Sequence, residues 1–230
     1  MIPIYRMQYS KEGTARYISH LDLLRAFERA GRRAGLPLAF TRGFNPHPII
    51  SFAAPLGVGI AGEVEYVDLE LTADITAGEV LKALSSTLPE GIQLLEVRMI
   101  SEHSPGLMAG VERATYRAVA KLKCQLDQKK IDESIATFLD RTEVWVERKN
   151  KAGGKMKFNI RPGIFDMSGR SESGKIIINV ELKAGSRGNI RIEEVIEAFQ
   201  TVNPLPLAER FILNRTGLFT MDGQIKKTLW

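Results

Sequence analysis

The chain has 230 residues, 44% of them hydrophobic and 26% charged, with a net charge of +5. That balance excludes a disordered polyelectrolyte and leaves enough chain for one substantial core or two smaller ones. A single cysteine, Cys124, excludes an intrachain disulfide, an all-cysteine zinc site and an iron–sulfur cluster held by this chain's own thiolates.

The charge is unevenly spread. Residues 1–50 carry eight Lys/Arg against three Asp/Glu, residues 51–100 carry two against eight, and residues 141–191 carry twelve against five. Two basic blocks suit a phosphate backbone. The acidic block around 63–74 suits a partner surface, an internal counter-charge to the arginine face or a solvated strand edge. No run approaches the roughly 18 apolar residues of a membrane span, and Met1-Ile2-Pro3-Ile4-Tyr5-Arg6 lacks a signal-peptide pattern, so a cytoplasmic protein without membrane association is expected.

In chain order, residues 4–9 alternate as a strand. Ser19 is placed to cap a helix, with Asp22 where a capping box would carry Glu. The helix runs to about Ala34, where Gly35 stops it and Pro37 prevents a restart. At 100° per residue Asp22, Arg25, Arg29, Arg32 and Arg33 fall within an arc of roughly 100°, opposite Leu23, Phe27, Ala30 and Ala34. Segments 38–41 and 48–53 read as extended around a turn, Arg42-Gly43-Phe44-Asn45-Pro46-His47-Pro48. Residues 64–72 alternate strictly, 76–88 are helical and 92–99 form a strand. The order βαββαβ predicts a ferredoxin-like domain over 1–100.

The loop 101–112, with Pro105 and two glycines, predicts a linker. Beyond it the same order reads again over 113–230: strand 115–123, helix 128–140, strands 142–149 and 175–183, helix 191–200, strand 210–219. The expected fold class is therefore α+β, with tandem ferredoxin-like domains and antiparallel sheets. A basic loop, Lys149 through Lys151 and Lys155 to Lys157, interrupts the second copy.

Four guanidiniums on one helical stripe repel one another unless an anion lies close by, which points to a polyanionic ligand. The candidate RNA contacts are Arg25, Arg29, Arg32, Arg33, Arg42, Phe44, Asn45, Lys149, Lys151, Lys155 and Lys157. Phe44, Tyr5, Tyr9 and Tyr17 offer stacking surfaces for unpaired bases, and Arg215-Thr216-Gly217 offers a further phosphate contact or a simple turn. His20, Asp22 and His47 are the candidate catalytic residues, since a histidine beside arginines can act as general base on a ribose hydroxyl. The His-x-Asp spacing lacks the i, i+4 step of a helical metal pair, so no metal site is assigned. Gly57-Val58-Gly59-Ile60-Ala61-Gly62 matches a dinucleotide fingerprint, but a strand follows it where that fingerprint needs a helix. It remains a candidate for close backbone approach to a phosphate.

The run Tyr17-Ile18-Ser19-His20-Leu21-Asp22-Leu23, with Arg25, Arg29, Arg32-Arg33, Leu36-Pro37, Gly43 to Pro48, Ser51-Phe52 and Pro55-Leu56, resembles the signature of the bacterial radical-SAM-associated family. The resemblance implies a partner, a separately encoded radical SAM protein carrying the iron–sulfur cluster and S-adenosylmethionine, with no cofactor in this chain. The tandem element order is also similar to the RAMP proteins that process CRISPR RNA. The leading expectation is a non-catalytic accessory protein that binds a structured RNA for a radical SAM enzyme in RNA modification. The alternatives are an RNA-processing or RNA-modifying enzyme using His20 or His47, and a module that docks on the radical SAM protein.

Overall fold

Alternation of Tyr5, Met7 and Tyr9 with Arg6 and Gln8 makes β1 (Ile4–Lys11) a strand with two different faces. The computed structural model describes residues 2–101, 104–149 and 153–230. The chain divides into two compact units, one of Met1–Glu112 with Arg215–Trp230, the other of Arg113–Asn214. It is an α+β protein built on antiparallel strand pairs.

In unit 1, β1 is followed by a short 3-10 turn (Gly13–Tyr17), α1 (His20–Arg33), β2 (Ile50–Phe52), β3 (Ala61–Glu70), α2 (Ala77–Ser85), β4 (Ile92–Ile100) and the short α3 (Leu107–Gly110). β1 lies between β4 and β3, antiparallel to both, and β2 pairs β3. On α1, Leu23, Ala26, Phe27, Ala30 and Gly31 are buried, and the first four join Tyr5, Met7, Tyr9, Phe52, Leu69, Val80 and Leu84 in one core. Tyr9, Phe27 and Phe52 meet edge to face, with centroids 5.3–6.2 Å apart. Burying each of these side chains contributes about 1.5–3 kcal/mol.

Both helix starts follow from their caps. Thr76 and Glu79 complete a reciprocal capping box on α2. On α1 the Ser19 hydroxyl accepts from the Asp22 amide at 3.2 Å and donates to the shorter Asp22 carboxylate at 2.7 Å.

Unit 2 comprises β5 (Arg113–Lys121), α4 (Gln128–Leu139), β6 (Trp145–Lys149), β7 (Lys155–Asn159), β8 (Ile164–Glu172), β9 (Lys175–Lys183) and α5 (Ile192–Val202). β9 lies between β5 and β8. The expected sheet strand 142–149 is corrected here: β6 pairs only β7, in a separate two-stranded hairpin, and β8 takes the place beside β9. The reason is burial. β8 turns Ile164 and Met167 inward, and Gly169 lets it pass under Ile131 and Ile135 of α4, whereas β6 alternates between exposed and half-buried residues. Phe138 of α4 meets Phe199 of α5 at 5.4 Å.

The last long strand, β10 (Ile212–Asp222), carries the chain back into unit 1, where a short β11 (Ile225–Lys227) pairs it. The observed division thus differs from the expected 113–230 domain, because Arg215–Trp230 packs with unit 1. A buried ion pair binds it there: Arg215 Nε donates to Glu65 Oε1 at 2.7 Å, and its Nη2 donates to the second Glu65 oxygen and, at 2.6 Å, to the Ala54 carbonyl. No helix among the described residues is long and apolar enough to cross a membrane.

Candidate nucleic-acid interface

Because the apolar stripe of α1 faces the core, its other face is open. Arg25, Arg29, Arg32 and Arg33 are all exposed. Arg25 forms a solvent-exposed ion pair with Asp22 at 3.3 Å, of the kind that contributes little. The hydrogen bond from the Ser19 hydroxyl, then the Arg25 guanidinium, lowers the Asp22 pKa. Arg33 donates to the Thr87 carbonyl at 2.5 Å, which ties the end of α1 to the end of α2. Arg29 and Arg42 have no hydrogen bond or ion pair among the described residues.

Arg32 links the helix to the turn that follows, its guanidinium lying 5.2 Å from the Phe40 ring centroid. Phe40 and Pro48 form a bridge. Inside it the Thr41 amide donates to the His47 carbonyl at 2.9 Å, and the His47 amide donates to Thr41 Oγ1 at 3.1 Å. Closed at its base, the turn projects Arg42, Gly43, Phe44, Asn45 and Pro46 into solvent, with Phe44 fully exposed at 105%. The turn thus presents an exposed aromatic ring near exposed guanidiniums, surfaces of the kind that can stack on a base and meet an anion.

The other aromatic candidates separate. Tyr17 is exposed, with Arg16 5.8 Å from its ring, whereas Tyr5 and Tyr9 are core residues and offer no stacking surface. The glycine-rich segment is held by its own chain: the Gly59 amide donates to the Arg16 carbonyl and Arg16 Nε returns a bond to the Gly59 carbonyl, both at 2.8 Å. Arg215, a phosphate candidate in the sequence, is 1% exposed and committed to Glu65. Glu65 and Asp68, from the acidic block, are internal counter-charges to Arg215 and Arg6 rather than to the arginine face.

His20 opens α1 with its ring 5.2 Å from that of Phe52, and it lines a cavity of about 460 Å³ between Leu24, Ile50, Ser51 and α3. His47 stands in the exposed turn, and among the described residues no hydrogen bond or ring contact joins it to His20. Asp22 faces Ser19 and Arg25 and does not orient His20. Among the described residues no three His, Cys, Asp or Glu side chains could hold a metal ion together.

On the hairpin of unit 2, Lys149, Lys155 and Lys157 are exposed, and Lys151 lies outside the described residues. Lys155 pairs with Glu147 at 2.8 Å, which lowers the Glu147 pKa and raises that of Lys155. Arg148 is held by Glu194 at 2.6 Å and lies over the Phe158 ring.

Two buried titratable groups had only a faint signal in the sequence. Lys11 is 2% exposed, and its ammonium makes no hydrogen bond among the described residues; burial lowers its pKa, with Glu65 opposing. Burial, then Glu65, raises the pKa of Tyr9. Only the strand alternation that puts Tyr9 inward, continued two residues, hints that Lys11 follows it.

Fold and surface together define an α+β protein with a cationic helical face beside a projecting aromatic turn. The chain belongs to a bacterial family described as "Uncharacterized protein conserved in bacteria (DUF2344)", whose profile matches residues 5–192. No curated protein matches it. Among solved structures it is similar to a chain of the Cbf5-Nop10-Gar1 complex, with a TM-score of 0.54, 13% identity, and coverage of 96% of this chain and 50% of that one. It is also similar to a chain of an H/ACA RNP bound to a substrate RNA containing 2'-deoxyuridine, with a TM-score of 0.50, 13% identity, and coverage of 96% and 49%. At that identity the likeness is one of fold, and the chain spans about half the length of the chains it matches.

Proposed function

We propose that this protein binds RNA through the exposed face of α1 and the turn at 42–47, and that it serves as a non-catalytic accessory to a radical SAM enzyme. The observation that carries the reading is the open arginine stripe: four guanidiniums on one helix, none of them buried and one matched by an exposed carboxylate. In this reading Arg25, Arg29, Arg32, Arg33 and Arg42 contact phosphates, Phe44 stacks on an unpaired base and Asn45 bonds its edge. Lys149, Lys151, Lys155 and Lys157 add a second electrostatic anchor. The likeness in fold to a chain of an H/ACA RNP bound to a substrate RNA favours the same reading. The β4-β1-β3-β2 order of unit 1 is read as ferredoxin-like, and the radical SAM partnership rests on the resemblance of residues 17–56.

Reversing two exposed cations tests the RNA reading. Arg29→Glu/Arg32→Glu is expected to lower RNA affinity by about tenfold or more, with the thermal unfolding midpoint unchanged; equal affinity contradicts it. Association with a radical SAM protein that survives RNase but is abolished in the same variant identifies the stripe as a protein-docking surface instead.

A second reading has a specific observation behind it, the cavity that His20 and Ser51 line. In an RNA-processing or RNA-modifying enzyme His20 is the general acid or base there. Purified protein acting on RNA without a partner, with activity abolished in His20→Ala or His47→Ala, establishes that reading. Inactivity of the wild type on its own favours the accessory role.

A further inference from the structure

The sheet of unit 1 has a second face, turned away from α1 and α2. Strand register places Arg6 and Gln8 of β1, Tyr66 and Asp68 of β3, and Glu96 and Arg98 of β4 side by side on it. Asp68 holds Arg6 through two bonds, at 2.9 and 2.8 Å. Tyr66 receives a hydrogen bond from Gln8 Nε2 at 2.7 Å. Across these residues lies the segment ending at Trp230. Its indole meets the Tyr66 ring edge to face at 5.7 Å, and the Arg98 guanidinium lies 4.3 Å from the indole centroid.

We propose that Tyr66, Arg98 and Gln8 form a slot for an unpaired purine base of RNA, and that Trp230 fills the slot in this structure. The proposal deepens the reading of the protein as RNA-binding and rests on it. An indole and a purine are both flat bicyclic aromatics, so a guanidinium and a tyrosine ring that hold one from two sides hold the other by the same forces. Aromatic side chains on the central strands of an open sheet are a general means of stacking bases in single-stranded RNA.

Anchoring and hydrogen-bonding capacity distinguish this slot from ordinary core packing. Leu229 is buried, and its carbonyl accepts from the buried Arg6 guanidinium, so the backbone beside Trp230 is fixed. Trp230 itself is half-buried and Arg98, paired with Glu96 at 2.7 Å, is exposed, so the indole lies at the edge of the packing while Leu229 lies within it. Gln8 commits its amide N–H to Tyr66 and keeps its carbonyl oxygen without a partner among the described residues. That acceptor suits the exocyclic amino group of adenine.

The chain contains two tryptophans, Trp145 and Trp230, so Trp145→Phe makes Trp230 the sole reporter. Titrated with a short single-stranded oligoadenylate, this variant is expected to show a red shift of Trp230 emission as the indole leaves the slot. Trp230→Ala is expected to bind the same oligonucleotide several-fold tighter than the wild type, and Arg98→Ala in that background to abolish the gain. Unchanged emission, with equal affinity of Trp230→Ala and wild type and weaker binding by Arg29→Glu/Arg32→Glu, overturns the slot and leaves RNA binding standing. The emission shift with no effect of the arginine reversal upholds the slot and removes the arginine face from RNA binding. No oligonucleotide binding by any variant overturns both.

Discussion

Arg215 and Glu65 are among the most deeply buried charges of unit 1, with side chains 2% and 3% exposed. Each is tolerable only because of the other, since a lone buried charge retains its desolvation penalty without the compensating attraction. Arg215→Met is therefore expected to destabilise the protein by about 3–5 kcal/mol in denaturant unfolding, and Glu65→Leu/Arg215→Met to recover most of the loss. Equal stability of the single variant and the wild type would show that the pair is not what closes unit 1. Lys11, close to the same pair, differs in having no hydrogen-bond partner among the described residues. Its folded pKa lies below the ordinary 10.5 because burial outweighs Glu65. Between the depressed folded value and 10.5 the unfolded chain binds more protons than the folded one, so stability rises with pH through that window. Lys11→Met removes the group, and is expected to be more stable than the wild type at neutral pH, with the difference narrowing as pH approaches 10.5. Paired unfolding curves across that range check the sign. In the sequence Glu65 sits in an acidic block with internal counter-charge as one of three readings, Arg215 reads as a phosphate contact or part of a turn, and Lys11 does not stand out. Arg215 and Glu65 lie 150 residues apart, a separation that no local pattern conveys.

At the scale of elements, the glycines that matter are those where backbone and neighbour both constrain the site. Gly91, in the turn just before β4, has φ +84°, and a Cβ there would lie 2.7 Å from the Glu12 carbonyl oxygen. Gly35, after α1, has φ +66° with open space around it. Gly35→Ala is expected to cost about 1 kcal/mol from the left-handed conformation alone. Gly91→Ala is expected to cost about 2 kcal/mol or more, because the collision adds to the strain. Thermal unfolding ranks the two, and a smaller loss at Gly91 would contradict the packing described. α1 was legible in advance because its apolar period, its Ser19 cap and its Gly35 stop all agree. β8 was not, since Phe165-Asp166-Met167-Ser168-Gly169-Arg170 interleaves polar residues and a glycine whose use, close passage under Ile131 and Ile135, exists only in the folded chain. The strand at 142–149 misled for the converse reason: its alternation is real, but the inward residues pack in a hairpin outside the main sheet.

For the whole molecule, the uneven charge along the chain resolves into separate uses. The acidic block supplies Glu65 and Asp68 to the interior of unit 1, while the basic residues of α1 stay at the surface. That separation leaves the arginines of α1 at the surface, where a polyanion can meet them. The exposed stripe was readable from helical spacing, whereas the slot holding Trp230 was not, because strands distant in sequence meet there. The salt dependence of RNA binding tests the central claim most directly, since each phosphate that the protein neutralises releases counterions and steepens the decline of affinity with salt. Arg29→Glu/Arg32→Glu is expected to reduce the slope of log affinity against log salt by about one unit for each phosphate no longer neutralised. A slope identical to that of the wild type would show that the arginine face of α1 does not touch the RNA backbone.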